Sequence, residues 1–134
     1  MKSFSSDYEY GKSREPIILK KIQQYFKDDA IIPAEGRYSK YDFKGEGKTF
    51  ELKCRKFHLN KYPTTIIAQD KILKTSDKQY FLFNFTDKLT FIEYNDETFS
   101  KFECKNFRRY GRTDFCDKEK LYYFIPITLL KSIQ

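Results

Sequence analysis

The 134-residue chain contains no tryptophan, one methionine and one histidine, and its three cysteines form no Cys-x-x-Cys pair. Without tryptophan, and with so little methionine, the core has to be built mainly from phenylalanine and isoleucine. Cys54, Cys104 and Cys116 are odd in number and widely spaced, which excludes zinc-ligand spacing and argues against a disulfide framework. Reduced thiols inside a cell, whether in a cytoplasm or in the host of a virus or phage, are the simplest account. The opening residues, MKSFSSDYEYGKSRE, lack the apolar region of a secretory signal, and no apolar run approaches membrane-spanning length. No repeat or low-complexity linker divides the chain, and its length suits one domain over residues 1–134. The single histidine, His58, falls in an expected loop, where a surface role accounts for it.

What is present is aromatic and basic. Fourteen Phe and eleven Tyr bring the aromatic content to 19%, ample for a core despite 34% charged residues. Lysine and arginine number 26 against 19 acids, a formal net charge of +7. A small basic domain favours a polyanionic partner, because its cations displace counterions from phosphates. Charge alone does not separate that partner from plain solubility.

Along the chain, polar residues 1–12 precede an expected helix over 13–26, with Ser13 as N-cap and Pro16 in its first turn. Leu19, Ile22 and Phe26 make one apolar stripe, and Glu15 falls on it. AIIP, ending at Pro33, reads as a short strand. Tyr41 and Phe43 then alternate with polar residues, as do Phe50, Leu52 and Cys54, around the turn GEGK, which predicts a hairpin with one apolar face. A second helix is expected over 64–74 (TTIIAQDKILK). Strands QYFLFNF and LTFIEY follow, joined by a tight turn at Thr86-Asp87-Lys88; the first is apolar enough to be buried on both faces. Residues 98–103 read as a further strand, residues from Phe107 onward as a loop, YYFIPI as a strand and TLLKSI as a closing helix. The pattern predicts a mixed α/β domain.

Four acid-x-Lys triplets occur, and only context distinguishes Glu51-Leu52-Lys53. In that strand Glu51, Lys53 and Arg55 share one face while Phe50, Leu52 and Cys54 take the other. A turn at Glu46-Gly47 makes cross-strand positions sum to 93, setting Phe43 opposite Phe50 and Asp42 opposite Glu51. Two facing carboxylates repel unless a proton or cation lies between them. Hard oxygen ligands suit Mg2+ or Mn2+. Lys53, on the same face, is placed to stabilise a phosphorane or to lower the pKa of an attacking water. The plainer alternative is an ion-pair ladder of Asp42 and Glu51 with Lys53 and Lys40.

Asp42, eight intervening residues and Glu51-Leu52-Lys53 resemble the motif of the PD-(D/E)XK nuclease superfamily, which includes restriction endonucleases and Holliday junction resolvases. Gly11-Lys-Ser-Arg-Glu15 is similar to the first-helix glutamate of the resolvases. The position before the aspartate is Tyr41 instead of the commonly written proline, and Pro16 after Glu15 puts that glutamate in the first turn. The resemblance implies a restriction endonuclease-like core of order αβββαβ, a mixed central sheet flanked by helices. That core covers about 13–85, with a small C-terminal β/α extension over about 86–134. It implies a metal held by Asp42, Glu51 and the carbonyl of Leu52, with Lys53 catalytic and Glu15 an auxiliary carboxylate. It also implies DNA, branched DNA included, as substrate, a homodimer, and no small-molecule cofactor or membrane.

Other positions carry weaker expectations. Arg55, Lys56 and Lys61, beside the motif, are candidates to line a strand path. Arg108, Arg109 and Arg112, interleaved with Phe107 and Tyr110, are a second candidate for gripping phosphates and stacking on a base; a basic loop explains them as well. Gln69 and Lys71, after the motif, are candidate polar helpers or simply a solvated helix face. The rival functions are a catalytically silent nucleic-acid-binding module on the same fold and a protein-interaction domain.

Overall fold

A computed structural model of the chain describes residues 4–35, 39–107 and 120–133. Helix α1 runs from Phe4 to Phe26 and contains Pro16. It therefore begins well before Ser13, which is no N-cap: its hydroxyl donates to the Tyr10 carbonyl one turn back (2.8 Å). Pro16 has no N–H to give the preceding turn, but extension on both sides holds it inside the helix. The apolar stripe centres on Ile18 and Ile22, both buried, with Leu19 and Phe26 flanking it. Lys27, at φ 52°, closes the helix in the left-handed region. Its N–H donates to the Gln24 carbonyl (3.3 Å) and that of Asp28 to the Gln23 carbonyl (2.9 Å). This two-bond pattern is the Schellman end, here without glycine.

Strands β1 (Ile32–Pro33), β2 (Phe43–Gly45), β3 (Lys48–Cys54), β5 (Lys78–Asn84), β6 (Leu89–Glu93) and β9 (Lys131–Ile133) form a six-stranded sheet in that spatial order. The β3–β5 pair is parallel and the other four are antiparallel. Strands β4 (Thr64–Ala68), β8 (Lys120–Pro126) and β7 (Glu103–Phe107) form a second, three-stranded sheet. Alternation along β5 sorts the core. Tyr80 and Leu82 pack with Ile18, Ile22, Phe43, Phe50 and Phe91 on the side of α1. Phe81 and Phe83 pack with Ile67 of β4, Ile125 of β8 and Phe99 on the side of the second sheet. Helix, large sheet and small sheet thus stack as three layers, and β5 is buried on both faces as its composition predicts.

Three expected elements differ. The helix over 64–74 is absent: Thr64–Ala68 is strand β4 and Gln69–Lys71 a single 3-10 turn. Four consecutive β-branched residues, Thr64 to Ile67, disfavour a helix, and the β8 partner (Ala68 against Tyr122, Thr64 against Pro126) lies far downstream. The αβββαβ order therefore fails at its second helix. Where a strand is expected over 98–103, residues 98–100 belong to a short helix, α2 (Asp96–Ser100), and strand β7 begins only at Glu103. The Asn95 side chain caps α2 by accepting from the Thr98 N–H (2.9 Å). TLLKSI forms a 3-10 turn over Ile127–Leu129 and then β9, which pairs with β6, instead of a closing helix.

Candidate active site

The β2–β3 hairpin has the expected register: Phe43 against Phe50, Lys44 against Thr49, Gly45 against Lys48. Gly47, at φ 68°, makes the turn. Past Phe43 the Asp42 N–H still donates to the Phe50 carbonyl (2.8 Å), while its carboxylate takes over the next position, Oδ2 accepting from the Leu52 N–H (2.7 Å). A strand residue points its N–H and C=O to one edge, so the Leu52 carbonyl shares the edge on which Asp42 sits.

Glu51 lies on the face of β3 turned to the second sheet and is only 7% exposed. Two lysines reach the same oxygen, Oε2: Lys53 Nζ at 3.3 Å and Lys71 Nζ at 3.9 Å. Burial pushes the Glu51 pKa up and the charge of Asp42 adds to the rise, while Lys53 and Lys71 oppose it. Burial also pushes the Lys53 pKa down, with Glu51 opposing and the positive charges of Lys71 and Arg55 reinforcing. The fold thus disfavours charge on both partners of this pair, and each is held charged mainly by the other.

Glu15 comes from α1, on the opposite face of the large sheet. The longer helix puts it mid-helix, not in a first turn. Burial raises its pKa; Lys12, whose Nζ lies 3.7 Å from Oε1, lowers it, and the charge of Asp42 raises it further. Asp42 is therefore felt by both Glu15 and Glu51. Cys54 lies close by: burial lifts its pKa, the Asn84 amide contacts its sulfur at 4.0 Å, and the charges of Arg14, Glu15 and Asp42 all reach it. Among the described residues no three His, Cys, Asp or Glu side chains gather closely enough to hold a metal by themselves. The oxygen groups nearest in sequence and field are the Asp42 carboxylate, the Glu51 carboxylate that its charge reaches, and the Leu52 carbonyl.

The basic candidates separate. Arg55 donates from Nη2 to the Ile66 carbonyl (2.8 Å) and lies over the Phe83 ring (5.6 Å), joining β3 to β4 across the two sheets. Lys56 is exposed, its Nζ 5.2 Å from the centre of the Tyr10 ring. Lys61 is exposed beside Phe57 and Tyr62. Arg108, Arg109, Tyr110, Arg112 and Cys116 lie outside the described residues. His58 is exposed, and Gln69 is exposed on the 3-10 turn that delivers Lys71.

Sequence reasoning missed Gln79. This buried side chain donates from Nε2 to the Lys71 carbonyl (2.7 Å) and accepts from the Leu73 N–H (3.1 Å), fixing the segment from which Lys71 reaches Glu51. The available signal was a glutamine heading a strand that is otherwise apolar. No family model, curated protein or solved structure matches the chain.

Proposed function

We propose that the protein is a metal-dependent endonuclease that hydrolyses phosphodiester bonds in DNA, with Asp42, Glu51 and Lys53 at its centre. The observation that carries this reading is the gathering of Asp42, Glu51 and Lys53 along β3: Asp42 takes the Leu52 N–H, its charge reaches Glu51, and Glu51 Oε2 lies 3.3 Å from Lys53 Nζ. The described elements also keep a helix, a hairpin and a crossover from β3 to the parallel strand β5, with β4 standing where the restriction endonuclease-like core carries a helix.

The donor chemistry fits a hard divalent ion. Asp42 keeps one carboxylate oxygen beyond the one bound by Leu52, Glu51 is a buried carboxylate whose charge the fold disfavours, and the Leu52 carbonyl shares the edge. Bound Mg2+ or Mn2+ would neutralise that charge, polarise the scissile phosphate and favour deprotonation of water. Lys53 stays cationic through Glu51 and stabilises the negative charge that develops on phosphate oxygens as water attacks phosphorus and the P–O bond to the leaving strand breaks. Glu15, in the field of Asp42, serves as the auxiliary carboxylate.

The test is incubation with supercoiled, linear, branched and single-stranded DNA, with Mg2+ or Mn2+ and with chelator. Asp42→Asn and Glu51→Gln are expected to abolish cleavage with the fold retained. Lys53→Ala should lose rate far more than Mn2+ affinity, read by calorimetric titration. Wild-type cleavage by either carboxylate variant would refute the assignment. The junction resolvase-like form of this proposal also requires a homodimer, which sedimentation tests.

One observation favours a second reading, a catalytically silent nucleic-acid-binding module. Lys71 adds a second cation to Glu51, so the carboxylate already has charge compensation without a metal. Salt-dependent DNA binding with no cleavage under any metal would select it.

A further inference from the structure

Two adjoining cavities form one groove between α1 and the β5–β6 turn. One lobe, of 320 Å3, is walled by Tyr10, Arg14, Ile17 and Lys21. The other, of 330 Å3, is walled by Lys21, Lys88 and Ser132. Lys21, Asn84, Phe85 and Thr86 belong to both.

The groove lies on the α1 side of the large sheet, next to Glu15 and Cys54. Arg14 lines it while the next residue, Glu15, feels Asp42; Asn84 lines it while its amide touches Cys54. Its charge is positive: Arg14, Lys21 and Lys88 face it, with Lys56 against Tyr10 at the near end. The acid in its wall, Asp87, has Oδ1 engaged by the Leu59 N–H (2.9 Å). Apolar and aromatic surface accompanies the cations. Ile17 is 56% exposed on the wall, and the Arg14 guanidinium lies over the Tyr10 ring at 4.5 Å.

We propose that this groove binds single-stranded nucleic acid continuing from the scissile site, with Lys21 contacting a phosphate between two nucleotides. The proposal rests on the nuclease reading for its direction but not for its binding chemistry. Cations beside sequence-tolerant apolar and aromatic faces are what single strands require. Each lobe is near the lower size of a small-ligand pocket, and so suits one nucleotide. A duplex, whose bases are stacked inside and whose phosphates lie on a convex surface, offers nothing to the Ile17 wall.

The experiment measures binding of fluorescent oligo(dT), and of a blunt duplex, to the full chain in chelator across a salt series. Oligo(dT) should bind more tightly than the duplex. Lys21→Ala and Arg14→Ala should each weaken oligo(dT) binding about fivefold and flatten its log-log salt slope by about 0.7. Lys101→Ala, removing an exposed charge after α2, should change the slope by clearly less. Equal or tighter duplex binding, or groove variants no different from Lys101→Ala, overturns the proposal. Failure here is distinct from failure of the nuclease reading. If wild type cleaves DNA while the groove variants bind oligo(dT) normally, the groove is wrong and the nuclease stands. If the groove variants lose oligo(dT) and no metal supports cleavage, the groove stands and the nuclease falls.

Discussion

At the scale of single residues, the Glu51–Lys53 pair decides how the site responds to pH. The Glu51 pKa is raised above its ordinary 4.5 first by burial, so the folded state favours its protonated form. A carboxylate with a raised folded pKa lowers stability at neutral pH, and that cost is relieved as pH falls from the raised value to 4.5. Metal-free wild type should therefore gain melting temperature relative to Glu51→Gln on acidification over that window. A constant difference between the two would show that burial does not govern Glu51. Cleavage should fall over the same window, because a ligand carboxylate must be ionised.

At the scale of elements, the site depends on how β3 is held from both sides. The hairpin supplies Asp42, and the 3-10 turn after β4, fixed by Gln79, supplies Lys71. Arg55 ties β3 to β4 through the Ile66 carbonyl and the Phe83 ring. Its guanidinium was expected on a phosphate; an intramolecular carbonyl holds it instead. Arg55→Ala should therefore destabilise the fold by about 1–3 kcal/mol, the worth of a charged hydrogen bond with its packing. Denaturant melts check this. Unchanged stability with weakened DNA binding would return Arg55 to the phosphate role.

For the whole molecule, the surplus of +7 has to be read against geometry. Arg55 is spent internally, whereas Arg14, Lys21 and Lys88 face a continuous groove. Association with duplex DNA should still fall with salt, at a log-log slope of about −0.9 for each phosphate neutralised. Titration in calcium over a range of salt measures that slope. Flat dependence would count against any nucleic-acid function. The layering also explains why charge collects where it does. Both faces of the large sheet are covered, by α1 and by the small sheet, so a charged group within it, such as Glu51, is buried and has to be met by cations from neighbouring segments.

By itself the sequence determined what depends on near neighbours. The period of two around GEGK fixed the hairpin register, Phe43 against Phe50, because a one-residue slip would have turned both rings away from the α1 side of the core. The apolar run at 80–83 marked a doubly covered strand for the same local reason. Tertiary structure alone decided what depends on distant partners. TTIIA became a strand because β8 was there to pair with it, and KSI became one because β6 had an open edge. Lys71 reached Glu51 only through a turn pinned by Gln79, and Glu15 reached the field of Asp42 only through a helix longer than its cap signals implied. Pairing and burial between remote segments outweigh local propensities of a few tenths of a kcal/mol, and no window of neighbouring residues records them.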